Sequence, residues 1–242
     1  FHVDGSLFGG QVALSDLTVT RQRKKTVRGD VIFNKLDIGA LAELWPAVAL
    51  SDTRPKGRLS GKLHIDDMPL DHAADTRATA TISSMWLARS GFRVELEPHS
   101  RALRIGGGQI EMPGLALVVT TPNGQRGVFD LKGGVGDLGQ KPDVDATLVL
   151  RPADLSGFIG LIPRAERARG TLRGKLRVTG PPSALRYQGG FSLENGEVSV
   201  RGLPGTLSDI QLAVALDNDE LRITRGQARM GGGTVQLSGN AP

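Results

Sequence analysis

The chain has 242 residues, enough for one large or two ordinary domains with a substantial core, and carries 33 Gly and 13 Pro with 4% aromatics. Lys+Arg 30 against Asp+Glu 25 leaves a net charge of +5, a mild surplus without the basic, aromatic-studded patch that a nucleic-acid partner requires. The absence of cysteine excludes a disulfide framework and a thiolate metal site, and no stretch approaches the ~18 consecutive apolar residues of a membrane-spanning helix.

So many turn-forming residues, with little helical periodicity, predict an all-β chain of short antiparallel strands. The first strands are expected at Gln11–Leu14, Leu17–Arg21 and Val27–Phe33. In the third, Val31 and Phe33 share a face with Val27 and Gly29, while Arg28, Asp30 and Ile32 take the other, because side chains alternate along a pleated strand. The only dense basic run, 21–25, lies between two such strands and reads as a solvated hairpin loop. A short helix follows near 38–45, with Asp37 as N-cap and Pro46 limiting its extension. Alternation returns in Gly57–Ile65, with Leu59, Leu63 and Ile65 inward. Further strands are expected at Thr76–Ile82, Phe92–Glu97, Ala102–Ile105, Gln109–Met112, Leu115–Thr121, Gly127–Lys132 and Val144–Leu150. The cleanest alternation points Phe92, Val94 and Leu96 one way; Leu148 and Leu150 do the same before the next helix. Asn123-Gly124 between two strands signals a hairpin.

A second short helix is expected near 155–162, capped by Asp154 and ended by Pro163. Both helices are expected to cap or plug the adjacent sheet, one through Leu41, Leu44 and Trp45, the other through Phe158, Leu161 and Ile162. From Gly170 to Gly239 nearly every segment alternates. Leu172, Leu176 and Val178 oppose Arg173, Lys175 and Arg177. The same split recurs in Phe191/Leu193, Val198/Val200, Leu212/Val214/Leu216, Leu221/Ile223 and Val235/Leu237.

The two helices match position for position, and so do their flanks: Val31–Phe33 with Leu148–Leu150, and Gly57–Ile65 with Gly170–Val178. Two copies of a strand–helix–strand unit, about 1–147 and 148–242, predict one elongated repetitive β architecture rather than separate globular domains.

The glycine runs after Phe8, Ile105 and Met230 are each followed by another strand, not by the helix that aims N–H groups at a phosphate, and read as strand connectors. His2, His64, His72 and His99 have no metal-ligand spacing, and His64 falls on the solvent side of its strand. Asp66-Asp67, with Asp71 nearby, lacks a calcium-loop pattern and reads as a turn. No serine sits in a nucleophile-elbow motif. The expectation is a protein without catalytic residues, metal or cofactor, whose site is the stripe of inward residues named above.

The stretch 170–239 resembles the TamB branch of the AsmA-like family of bacterial envelope proteins. The matching features are Gly-x-Leu-x-Gly-x-Leu-x-Val-x-Gly-Pro-Pro at 170–182, Leu-x-x-Gly-x-x-x-Val-x-Gly-Leu-Pro at 193–204, Leu-Ser-Asp-Ile at 207–210 and Gly-Gly-Gly-x-Val-x-Leu-Ser-Gly at 231–239. The resemblance implies a long curled sheet, open along one side like a folded taco. It further implies a periplasmic segment of an inner-membrane-anchored protein that conducts phospholipids towards the outer membrane and supports outer-membrane protein assembly. The anchor and the contact with an outer-membrane barrel assembly protein are expected in parts of the parent outside this chain. Two other readings stay open: a structural or chaperone-like module whose strand edges pair with clients, and a closed sandwich or solenoid with a dry core.

Overall fold

The computed structural model describes residues 3–21, 25–42, 56–72, 75–98, 102–122, 124–138, 141–162, 164–202 and 205–241. All its strands belong to one antiparallel sheet. They are β1 (Val3–Leu7), β2 (Gly10–Arg21), β3 (Lys25–Asp37), β4 (Lys56–Pro69), β5 (Arg77–Arg89), β6 (Phe92–Leu96), β7 (Leu103–Gly106), β8 (Gln109–Thr120), β9 (Arg126–Gly136), β10 (Asp143–Asp154), β11 (Ala165–Gly180), β12 (Arg186–Val200), β13 (Thr206–Asp217), β14 (Glu220–Met230), β15 (Gly233–Gln236) and β16 (Gly239–Ala241). Each strand pairs with the next in a meander. The exceptions are β6 and β7, which lie in line between β5 and β8 as one interrupted strand, and β15 and β16, which both pair with β14. At ~4.8 Å per step, the path from β1 to β15 runs about 60 Å across the strands.

Glycine runs make tight connections, as their sequence context requires. Phe8-Gly9, Gly107-Gly108 and Gly231-Gly232 all have positive φ and join β1 to β2, β7 to β8 and β14 to β15. This left-handed geometry matches the strand twist in two-residue hairpins. The hairpin expected around Asn123-Gly124 joins β8 to β9, which pair antiparallel up to Thr120 and Arg126; Gly124 N–H donates to Thr121 O, and Asn123 lies outside the described residues. Arg21 and Lys25 pair across the ends of the basic run, whose residues 22–24 lie outside the described residues.

Two helical segments were expected. The first is α1 (Ile38–Ala42), capped as expected: Asp37 Oδ1 accepts from the N–H groups of Gly39 (2.8 Å) and Ala40 (3.2 Å). Leu44, Trp45 and Pro46 lie outside the described residues. The second, Leu155–Leu161, is a 3-10 helix rather than an α-helix. Gly157 and Gly160 weaken the α form, and so short a segment tolerates the tighter winding. Asp154 Oδ1 accepts from Ser156 N–H at 2.8 Å.

The strand pairs that flank the two short helices share one register. Val31 pairs Leu63, Phe33 pairs Gly61, Leu36 pairs Leu59 and Asp37 pairs Arg58. The same pattern joins Leu148 to Leu176, Leu150 to Gly174, Ala153 to Leu172 and Asp154 to Thr171, with a bulge at the same place in each. Bulges explain why one apolar face persists while sequence parity changes. Lys35, Asn195 and Asp209 adopt left-handed φ at such points, so Leu36 continues the face of Phe33, and Gly196 and Val198 that of Leu193.

Bulges in β11, β12 and β13 also curl one end of these strands over a packed core. Leu155, Ala168, Leu193, Val198, Ile210 and Ala228 are buried there, with Ile159, Ile162, Leu207 and Val235 against them.

Candidate functional site

Beside this core the concave face opens. Cross-strand pairing sets Leu131, Leu148, Leu176, Gly189, Leu216 and Leu221 in one row, and Phe129, Leu150, Gly174, Phe191, Val214 and Ile223 in the next. A cavity of about 540 Å³ lies on these rows, lined by Phe129, Leu148, Leu150, Leu172, Leu176, Phe191, Leu216 and Leu221, with Leu155, Phe158 and Ile162 closing its helix end. Its surface is almost entirely hydrocarbon. Leu221 (42% exposed) and Phe191 (41%) leave side-chain surface open on this face.

In the first unit the same face carries Val31 and Leu63, which pair with each other, and Phe33, whose ring lies across Gly61. Leu59 pairs with Leu36 and Met85, and Ile65 with Gly29 and Ala78. Val94 links Leu87 to Val119, and Leu96 pairs with Leu117, carrying the apolar face from β5 to β8; Phe92 is exposed beside Arg89. A second row, Gly29–Ile65–Ala78–Ile105–Ile110–Val135–Val144–Gly180, crosses from β3 to β11 and joins the two units; Val178 lies two residues before Gly180, on the same face.

Not every expected lining residue faces the cavity. Leu193 and Val198 are buried in the core, with Val200, Leu212 and Val235 packed against it, because the strands curl over at the bulges. Leu237 lies between β15 and β16 and is 45% exposed, its N–H donating to Gly226 O. Conversely, Phe129 and Leu155 line the cavity and had not been singled out. Leu155 was missed because its place depends on how the 3-10 helix turns back over β11.

The opposite face is charged and paired. Arg177 donates two hydrogen bonds to Asp145 (3.0 and 2.8 Å), and Arg151 two to Asp130 (2.9 and 2.7 Å) with a third contact to Glu97. The guanidiniums hold both aspartates below the usual carboxylate range, and each arginine is pushed up in return. Asp30, only 8% exposed, meets Lys62 Nζ at 2.8 Å and His64 Nδ1 at 2.6 Å, and these hydrogen bonds lower its pKa. His64 is on the solvent side, as its parity required. Asp66 and Asp67 belong to a bulge within β4, facing His64 and Arg77, not to a turn.

The site offers aliphatic and aromatic surface on one side of the sheet, and the other side carries ion pairs. Among the described residues no helix is long and apolar enough to cross a membrane. Comparison with protein-family models, curated proteins and solved structures gave no match.

Proposed function

We propose that the chain is a segment of an apolar groove that holds and passes phospholipid acyl chains between membranes, with no catalytic step. The observation that carries the reading is the 540 Å³ hydrocarbon-lined cavity on the concave face. That volume lies within the roughly 300–1,000 Å³ of small-molecule sites, but the lining lacks the convergent polar groups that fix a polar substrate. A methylene moved from water into such a lining gains ~0.8 kcal/mol, close to fourfold in affinity. Neighbouring rows of similar residues give neighbouring positions of similar energy, which favours sliding over trapping.

The motifs of 170–239 support placing this groove with the TamB branch of the AsmA-like proteins. On that reading it works in the periplasm, with an inner-membrane anchor and an outer-membrane barrel partner supplied by other parts of the parent. Native mass spectrometry of the purified protein tests the proposal. Phospholipid should co-purify in stoichiometric amount, and protein that is persistently lipid-free after incubation with phospholipid vesicles overturns it.

A further inference from the structure

We infer that the 3-10 helix is the end wall of an acyl-chain compartment, and that Phe158 sets the length of chain the compartment accepts. This rests on the acyl-chain reading above. The helix is anchored from one side: Leu155 is buried in the core, and Ile159 and Ile162 pack against it. Phe158 projects instead to the cavity. Its ring ends over Gly127, where its Cζ stands 3.2 Å from the position a Cβ would take, and Leu150 Cδ1 and Phe129 Cε2 flank that position at 3.5 Å. A buried glycine between two apolar side chains thus forms a socket for the ring.

The first helix makes a contact of the same kind. Ile38 of α1 brings its Cδ1 to 3.0 Å from the corresponding position at buried Gly57. The two sockets are the ends of one register row, Gly57–Leu87–Val94–Val119–Gly127. Each helix therefore seats an apolar side chain on a bare glycine of the apolar face. A chain lying in the second-unit cavity meets Phe158 before it can extend along that row.

The substitution Phe158→Ala removes the wall without removing the helix anchors, and frees space for about a benzene-sized group, on the order of 150 Å³. Gly127→Val acts oppositely, since its side chain must push the ring into the cavity. Both variants and the parent are loaded from vesicles containing phosphatidylethanolamines of graded acyl length, and the bound species are weighed by native mass spectrometry. Phe158→Ala should shift the bound distribution towards longer chains by about two to four methylenes, with roughly 15-fold enrichment for each two. Gly127→Val should shift it towards shorter ones. Identical length distributions in the lipid-loaded parent and variants overturn the role of Phe158 and leave the groove reading standing. A parent that takes up no lipid overturns both.

Discussion

Gly174→Phe would block the groove from its floor while leaving the sheet intact. Gly174 lies on the cavity face between Leu150 and Phe191, and its φ is in the ordinary extended range. A Cβ placed there would meet Gly190 O and Leu150 Cβ at 3.6 Å and Phe191 Cβ at 3.8 Å, ordinary van der Waals contacts. The backbone therefore accepts a side chain, and the space that receives it is the cavity. An interior strand glycine is itself weak by about 0.5–1 kcal/mol relative to alanine, so the variant should be no less stable than the parent. A benzene-sized ring takes on the order of 150 Å³. If it displaces four methylenes at ~0.8 kcal/mol each, acyl affinity falls by about 3 kcal/mol, roughly 200-fold. Displacement of a fluorescent fatty-acid probe measures the affinity, and thermal unfolding measures the stability. A variant with unchanged melting temperature and unchanged probe affinity refutes the assignment of the cavity as the lipid site.

Other outcomes follow from the contrast between closed core and open lining. Leu193→Ala, at a site 6% exposed within the core, should cost about 2–4 kcal/mol in urea unfolding, whereas Leu176→Ala in the cavity wall should cost about half that or less. Leu176→Asp should abolish lipid co-purification while the far-ultraviolet circular dichroism of the sheet is retained. Removing the cap with Asp154→Ala should cost about 1 kcal/mol and speed acyl-chain exchange by freeing the 3-10 helix, read as a faster probe off-rate. Asp30, Asp130, Asp145 and Asp154 all have folded-state pKa values below the ordinary ~3.9, so their contribution is complete above that value and is lost as pH falls through the lowered ones. Melting temperature should thus drop on acidification below about pH 4, and less steeply in Asp145→Asn, which lacks one of the four.

The faces of the strands were legible because alternation is a local property. Leu172, Leu176 and Val178 could be assigned against Arg173, Lys175 and Arg177 without knowing their neighbours, and the paired ions Arg177–Asp145 and Arg173–Glu194 lie on the charged face. Continuity was less legible, since a bulge shifts parity by one residue and so resembles a strand end. The segments Phe191/Leu193 and Val198/Val200 read as separate pairs, yet Asn195 joins them into one strand. The expected strand Thr76–Ile82 continues to Arg89 because Ser83 is an extra residue between Ile82, paired with Gly61, and Ser84, paired with Ser60, and this moves Met85 and Leu87 onto the apolar face. What alternation cannot tell is whether an inward residue meets another side chain or open space. Leu193 and Leu176 look alike in sequence, and only the curl of the strands makes one core and the other cavity wall.

Photocrosslinking from both faces of β11, and from the apolar face of β13, tests the groove most directly. A diazirine side chain at Leu176 or Leu216 should capture phospholipid in cells and in vesicle incubations, while one at Arg173 or Arg177 should give background only. Capture from the arginine positions with none from the leucine positions would contradict it.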